Sequence, residues 1–401
     1  MGIFQKCADF TKVVDGVKEK GIYPYFHHLE SRQDVVVIME GKRRIMLGSN
    51  NYLGLTTHPE VVEAAIKAVE KYGTGCSGSR FLNGTLDLHI QLEEELAEFV
   101  GKEAACTFPS GFQTNLGIIS SLAGRHDYIL IDRENHASIY DGCRLSFGKI
   151  IRYKHDDMED LERCLEKLQP DDGKLIITDG VFSMSGDICS LPKIVELARK
   201  YNAAVMVDDA HGFGVLGDGG RGTANHFGLT AETDIIMSTF SKSLASLGGF
   251  MAADKYVVEY VKHNSRPFIF AASIPPASCA AALAALRVIK KNPEIVSRLS
   301  DLSRYMRNGL KERGIPLRES KYTTPIIPFY TYELETTLIK AKEIYEAGVY
   351  LNPVLEPAAP EGKCLLRISL MATHTYELLD EAMDIIDSVI NEKSRTVVAL
   401  K

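Results

Sequence analysis

The chain has 401 residues, with 46 Lys+Arg against 53 Asp+Glu and a formal charge of −7 at pH 7. Hydrophobic residues make up 45% and charged residues 25%, a balance that excludes a disordered or fibrous chain and leaves apolar side chains for a large core. The acidic excess, with no basic run beyond Gly41-Lys42-Arg43-Arg44, argues against nucleic acid as a partner.

The first fifty residues predict a short helix near 12–20 and a hairpin, Val35–Ile38 against Arg44–Leu47, turning at Glu40-Gly41. The middle of the chain alternates short β-branched runs with helical patterns. Strands are predicted at Tyr128–Ile131, Lys149–Arg152, Lys174–Thr178, Ala203–Val207 and Asp234–Ser238. A helix is predicted over Leu191–Tyr201, entered at Pro192 with Ile194, Val195, Leu197 and Ala198 on one face. Short apolar strands separated by helices imply a mostly parallel sheet covered on both faces, whose ligands gather at the carboxyl ends of the strands.

Residues 267–286 carry no charge over a length that could span a bilayer. Pro275-Pro276 divides them, the second half is alanine rather than leucine, and Ser273 and Ser278 lower insertion propensity, so the segment reads as a loop followed by a buried helix. Beyond about 297 a smaller α/β domain is expected, with strands at Pro325–Phe329 and Leu365–Ser369. The last helix places Leu378, Leu379, Ala382, Met383, Ile385, Ile386, Val389 and Ile390 at helical spacing. The expected division is 1–48, 49–290 and 291–401.

Eight cysteines (Cys7, Cys76, Cys106, Cys143, Cys164, Cys189, Cys279, Cys364) lie far apart without a C-x-x-C pair, which reads as reduced thiols of a cytoplasmic protein with no metal site. Residues 1–6 lack the apolar core of a signal peptide, and Gly2 without Ser or Thr at position six is a poor myristoylation match.

The chemistry is expected at strand ends. Asp208-Asp209-Ala210-His211 follows one apolar strand and Thr239-Phe240-Ser241-Lys242 another. A lone carboxylate there is usually a cap or turn former, and a lone lysine a surface charge. Together they are more informative: a lysine held at the mouth of an apolar fold, among the hydroxyls of Thr239, Ser241 and Ser243, can shed its proton and attack carbonyls. Gly248-Gly249 lets the backbone pass close to whatever that lysine carries. Gly212-Phe213-Gly214-Val215-Leu216-Gly217 fits the dinucleotide fingerprint G-x-G-x-x-G, but a glycine loop follows it instead of a helix, so no pyrophosphate site is formed. No P-loop or G-x-S-x-G string is present.

Thr239–Leu244, preceded by Asp208–His211 and by Asp179-Gly180-Val181-Phe182-Ser183-Met184, resembles the pyridoxal 5'-phosphate (PLP)-dependent α-oxoamine synthases. The similarity runs in the family's order from Ser49–Leu55 to Arg367–Met371. It implies an α/β fold of the fold-type I aminotransferase kind, a large domain with a mostly parallel sheet plus a smaller C-terminal domain, and a homodimer with shared active sites. In that family Lys242 would hold the cofactor as an imine and later remove the substrate's α-proton. Asp208 would keep the pyridine nitrogen protonated. His136 would stack on the ring and help orient the substrate carboxylate, with His211 and Ser183 near the phenolic oxygen. The phosphate would meet the Ser110-Gly111-Phe112 turn and the hydroxyls of Thr239 and Ser241, with Ala271-Ala272 arriving from the partner subunit. Arg367 would grip the substrate α-carboxylate, assisted by Asn50. Taken without the resemblance, His136 reads as a surface-turn histidine and Arg367 as an exposed strand-edge residue.

Within the family, residues 72–87, 243–250 and 370–375 look most like soluble bacterial serine palmitoyltransferases. That implies L-serine and a long-chain acyl-CoA as substrates, no transmembrane segment, and a peripheral membrane contact left open by the apolar product. Glycine C-acetyltransferase and 8-amino-7-oxononanoate synthase are the alternatives within the family, and a catalytically silent aminotransferase-like binding protein outside it.

Overall fold

A computed structural model describes residues 2–356 and 358–398, with side chains placed up to residue 391. The chain divides into two compact units, residues 1–49 with 301–401 and residues 50–300. The first begins with a helix, Gln5–Glu19, that starts earlier than its apolar spacing suggested and buries none of its side chains. The hairpin follows as β1 (Val36–Met39) and β2 (Lys42–Met46). Glu40 and Gly41 both have positive φ, 52° and 73°, the left-handed pair that a two-residue turn between twisted strands requires.

Residues 50–300 hold seven strands: β3 (Ala104–Phe108), β4 (Tyr128–Asp132), β5 (Lys149–Tyr153), β6 (Lys174–Asp179), β7 (Ala204–Asp208), β8 (Ile235–Thr239) and β9 (Gly249–Ala253), in the spatial order β3-β9-β8-β7-β6-β4-β5. The five from β4 to β8 are mutually parallel, and β9 runs antiparallel to both β8 and β3. Every residue of β6, β8 and β9 is buried, as expected of a sheet covered on both faces. Alternate side chains, Ile129 and Ile131 of β4, Ile177 of β6, Met206 of β7 and Met237 of β8, share one core with Ile118, Ile119 and Ile139 from the helices above. The chain moves outward from β4 to β5 and then returns to the other side of β4 with β6. The carboxyl ends of β4 and β6 therefore flank the point where strand order reverses, the place such sheets offer to ligands, with β7 and β8 next in line. Register sets Asp179 opposite Asp208, and Asp208 opposite Met237.

The uncharged 267–286 segment is a short helix (Arg266–Ile269), a connecting stretch and a helix (Pro276–Lys291) that buries Cys279, Ala282, Leu283, Ala285, Leu286 and Ile289. Among the described residues no helix is long and apolar enough to cross a membrane.

The rest of the first unit adds β10 (Ile326–Tyr332), β11 (Val349–Tyr350), β12 (Asn352–Val354) and β13 (Cys364–Ser369). β11 pairs in parallel with β2, and the Ser369 amide donates to the Leu47 carbonyl (2.7 Å). Residues 1–49 thus share a body with 301–401 and do not form a separate segment. β13 lies between β10 and β12. The last helix (Tyr376–Val398) buries Leu379, Ala382, Met383, Ile386 and Val389 and leaves Leu378, Ile385 and Ile390 half-buried.

Candidate active site

A cavity of about 310 Å³ opens at the carboxyl ends of β6, β7 and β8, and Lys242 lines it together with Asp208, Asp179, His136 and His211. Lys242 follows β8 within a segment that bends sharply, with Ala245 at φ 53° and Gly248 at φ 143°. A Cβ on Gly248 would strike the ring of Phe240, about 2.5 Å away. Gly248 is needed there for both reasons.

The Asp208 carboxylate is 4% exposed and oriented by two donors. Asn115 Nδ2 donates to its Oδ2 (2.7 Å), and the Ala210 amide donates to its Oδ1 (3.1 Å). Beside it, Asp179 is fully buried. Burial first, and then Asp208 alongside, push the Asp179 carboxyl well above the usual carboxylate range, against the His136 N–H that donates to its Oδ1 (3.3 Å).

The His136 ring is tied to the same network. Asn115 Nδ2 also donates to Ser138 Oγ (2.8 Å), which lies 2.7 Å from His136 Nδ1, while the Ser138 amide donates to that nitrogen at 3.3 Å. Because the Ser138 oxygen already accepts from Asn115, its O–H is directed at His136. Nδ1 is then an acceptor, and the hydrogen bonds assign the imidazole proton to Nε2. Burial, reinforced by the Lys242 cation and opposed by Asp208, holds the His136 pKa below its ordinary value, so the ring is neutral near pH 7. The turn that carries it is pinned by Asp132, which accepts from the amides of Glu134 and Asp156 (both 2.8 Å). His211 Nδ1 lies 2.6 Å from the hydroxyl of Tyr52, which donates in turn to Asn50 Oδ1 at 3.4 Å.

At another edge of the cavity the helix Gly111–Leu122 begins. Ser110 is its N-cap, accepting at Oγ from the Gln113 amide (3.2 Å). Thr239 and Ser241, hydroxyls 3.0 Å apart, line the cavity beside it. A Cβ on Gly111 would stand 2.7 Å from Thr239 Cβ, so only glycine lets the helix start this close to β8. Phe112 stands edge-on to the His136 ring, 6.4 Å between centroids.

The cavity therefore gathers Ser110, Gly111, Phe112, His136, Asp208, His211, Thr239, Ser241 and Lys242 from separate motifs. Five expected residues fall outside its lining: Asn50, Ser183, Ala271, Ala272 and Arg367. Ser183 sits in a turn closed by the Val181–Ile188 bridge and by the Phe182 amide donating to the Asp187 carbonyl (2.9 Å), which holds it off the cavity wall. Ala271 and Ala272 follow the helix Arg266–Ile269; the role implied for them concerns a partner subunit's site, not their own. Arg367 belongs to the other unit. It lies on the central strand of its sheet, 5% exposed, with Nη1 donating to Ser369 Oγ (2.5 Å), so it is no exposed edge residue. His136 is exposed, as a surface turn would have it, but it also lines the cavity. Asn115, Ser138 and Tyr52 organise the site without having stood out in the sequence, although Tyr52 lies inside a stretch that did and Ser138 two residues after His136.

Comparison with known proteins agrees with this geometry. The model of the aminotransferase class I and II family matches residues 42–386. The chain belongs to this family. Its relatives place it among the PLP-dependent α-oxoamine synthases. It is 52% identical to a serine palmitoyltransferase of Sphingobacterium spiritivorum over 93% of each chain. It is 44% identical to an 8-amino-7-oxononanoate synthase of Thermosipho melanesiensis over 95% of this chain and 97% of that one. A solved structure of serine palmitoyltransferase with a PLP internal aldimine superimposes with a TM-score of 0.95 at 34% identity, covering 98% of this chain and 99% of the other. The α-oxoamine synthase resemblance, the fold-type I architecture and the mostly parallel sheet follow from these matches and from the strand order.

Proposed function

We propose that this chain is a PLP-dependent serine palmitoyltransferase, condensing L-serine with palmitoyl-CoA to 3-ketodihydrosphingosine with loss of coenzyme A and carbon dioxide. The observation that carries the reading is one cavity with an amine, a fixed carboxylate and a neutral imidazole, in a chain 52% identical to an enzyme of that name.

The residues fit the cofactor. The helix start at Gly111, with the hydroxyls of Ser110, Thr239 and Ser241, suits a phosphate monoester. Asp208, fixed from two sides, suits a protonated pyridine nitrogen, and Lys242 supplies the amine that captures an aldehyde. Bound there, PLP supplies an electron sink that stabilises negative charge at the amino acid's α-carbon.

The chain's own residues do the rest. Lys242 Nζ receives the α-proton, which places a base at the reacting carbon. Asp208 keeps the proton on the ring nitrogen, and Asn115 keeps Asp208 from turning away. His136 would stack on the ring, and its Nε2–H, fixed as the donor by Ser138, would face the substrate carboxylate. His211, held by Tyr52, would serve the phenolic oxygen. By the family resemblance, Arg367, a planar two-point donor, and Asn50 would take the substrate α-carboxylate. The protein is further read as a homodimer in which Ala271-Ala272 completes the partner's phosphate site, and as cytoplasmic. Eight free cysteines support that location.

The test is coenzyme A release by the purified holoenzyme with palmitoyl-CoA or acetyl-CoA, each offered with L-serine, glycine or L-alanine. Release with serine and palmitoyl-CoA, with a C18 ketoamine by mass spectrometry, is expected. Release only with glycine and acetyl-CoA would reassign the chain to glycine C-acetyltransferase. Turnover only with alanine would move it toward the 44% identical oxononanoate synthase.

A further inference from the structure

A second cavity, of about 290 Å³, lies wholly within the unit of residues 1–49 and 301–401, where the stretch after the first helix, the β1–β2 hairpin and the helix Leu334–Ala347 meet. No residue of the catalytic cavity contributes to it. Its unusual feature is Arg44 of β2, a guanidinium that is 4% exposed and lines the cavity. Its Nη1 donates to the Arg43 carbonyl (2.8 Å), its Nε is buried without a hydrogen-bond partner, and its plane is 4.4 Å from the centre of the Tyr345 ring. A buried charge of this kind ordinarily has a carboxylate opposite it, because desolvation without a counter-charge costs several kcal/mol.

The two carboxylates at this cavity are already engaged elsewhere. Glu40 accepts at Oε2 from the Tyr345 hydroxyl (2.9 Å) and meets His27 Nδ1 at Oε1 (3.0 Å). His27 in turn stacks on Tyr345, 4.3 Å between centroids, so the three side chains form a closed set. Glu346 pairs with Lys342 one helical turn away (3.2 Å). Among the described residues no carboxylate pairs with Arg44 or, two residues before it on the same strand, Lys42, and both line the cavity. Tyr23, Pro24, Tyr350 and Leu351 supply apolar walls, and the volume exceeds what a bare inorganic anion fills.

We propose that this cavity binds a small organic anion, a carboxylate or phosphate monoester on a compact apolar body, with its oxyanion on Arg44 and Lys42 and its body against Tyr23 and Leu351. The guanidinium suits this task because it is pre-oriented by Tyr345 and the Arg43 carbonyl, and because a planar fork matches the geometry of carboxylate and phosphate oxygens. The site is independent of the catalytic assignment, being built from the other unit.

The experiment is calorimetric titration of PLP-loaded enzyme, whose catalytic cavity is filled, with phenyl phosphate, benzoate, inorganic phosphate and benzyl alcohol at low salt. Phenyl phosphate and benzoate are expected to saturate one site per chain, with benzyl alcohol not binding and phosphate binding about tenfold more weakly. Arg44→Gln should weaken the two organic anions about tenfold or more. Ala341→Met, which keeps every charge and fills the cavity, should abolish their binding and guards against a misfolded Arg44 variant. No saturable binding to the wild type, or binding that survives Ala341→Met, overturns the proposal; equal affinity for phosphate and phenyl phosphate overturns its organic part.

Discussion

Asp209, next to the carboxylate assigned to the cofactor, makes a sharp prediction about pH. Its side chain is 1% exposed and accepts from the Thr223 amide (2.7 Å) and the Thr223 hydroxyl (2.6 Å). The backbones of Gly180, Gly212 and Gly222 crowd so closely that a Cβ on any of them would run into this carboxylate or its Thr223 partner. Burial pushes the Asp209 pKa up to about 7 despite the two Thr223 donors, which pull it down. An unfolded aspartate releases its proton near pH 4. Between those values the native state holds the proton and the unfolded state does not, so this group's contribution to stability falls as pH rises through the window and is lost above about 7. A gap of about three pKa units at 1.36 kcal/mol each sets the loss at about 4 kcal/mol. Asp209→Asn keeps the shape, accepts from the Thr223 amide through Oδ1, and donates through Nδ2 to the Thr223 hydroxyl, but cannot titrate. Urea midpoints of wild type and Asp209→Asn, taken from about pH 4.5 to 8.5, should show the variant gaining on the wild type by about 3 kcal/mol as pH rises, the first ~1 kcal/mol of the loss lying below that range. The subtraction cancels every other titrating group. A difference that stays flat across the window would mean that the Thr223 bonds outweigh burial and that Asp209 ionises like an ordinary carboxylate.

Three substitutions probe the site more directly. Lys242→Ala should remove both turnover and the imine absorption of bound PLP while leaving the circular dichroism of the fold unchanged; an unchanged imine band would refute the role of this amine. Ser138→Ala deletes the O–H that faces His136 Nδ1 and leaves Asn115 without one of its two acceptors. The loss of about 1 kcal/mol should lower kcat about fivefold, and because a donor at Nδ1 opposes protonation there, the acidic limb of the rate profile should move to higher pH. ¹⁵N spectra of the labelled imidazole report the tautomer independently, and an unchanged Nδ1 signal would show that Ser138 does not set it. Arg367→Gln should raise KM for serine more than KM for the acyl-CoA, and equal changes would remove Arg367 from the carboxylate site.

How legible these features were in the sequence depends on whether local pattern or tertiary contact decides them. The five strands read from β-branched runs end within one or two residues of β4 to β8, since such runs suit a pleat buried on both faces. β3 and β9 were not read. Ala-Ala-Cys-Thr-Phe and Gly-Phe-Met-Ala-Ala have little strand propensity, and they become strands by pairing with each other and, through β9, with β8. The candidate site divides in the same way. Lys242, Asp208 and His136 sit in motifs whose order along the chain is itself the signal. Arg367 could be found as a residue, but alternation along a strand does not tell a central strand from an edge, and only pairing on both sides shows that it is buried. Asn115 is the limiting case. It lies in a helix whose apolar face accounts for its neighbours, so an amide there reads as one more polar residue, yet it donates across a separation of 93 residues to Asp208 and across 23 to Ser138. One turn past Gly111, it is placed by the same close approach to Thr239 that only glycine allows. A substitution at Gly111 should therefore disturb the phosphate end of the cavity and the Asp208–His136 network together, although the two share no side chain.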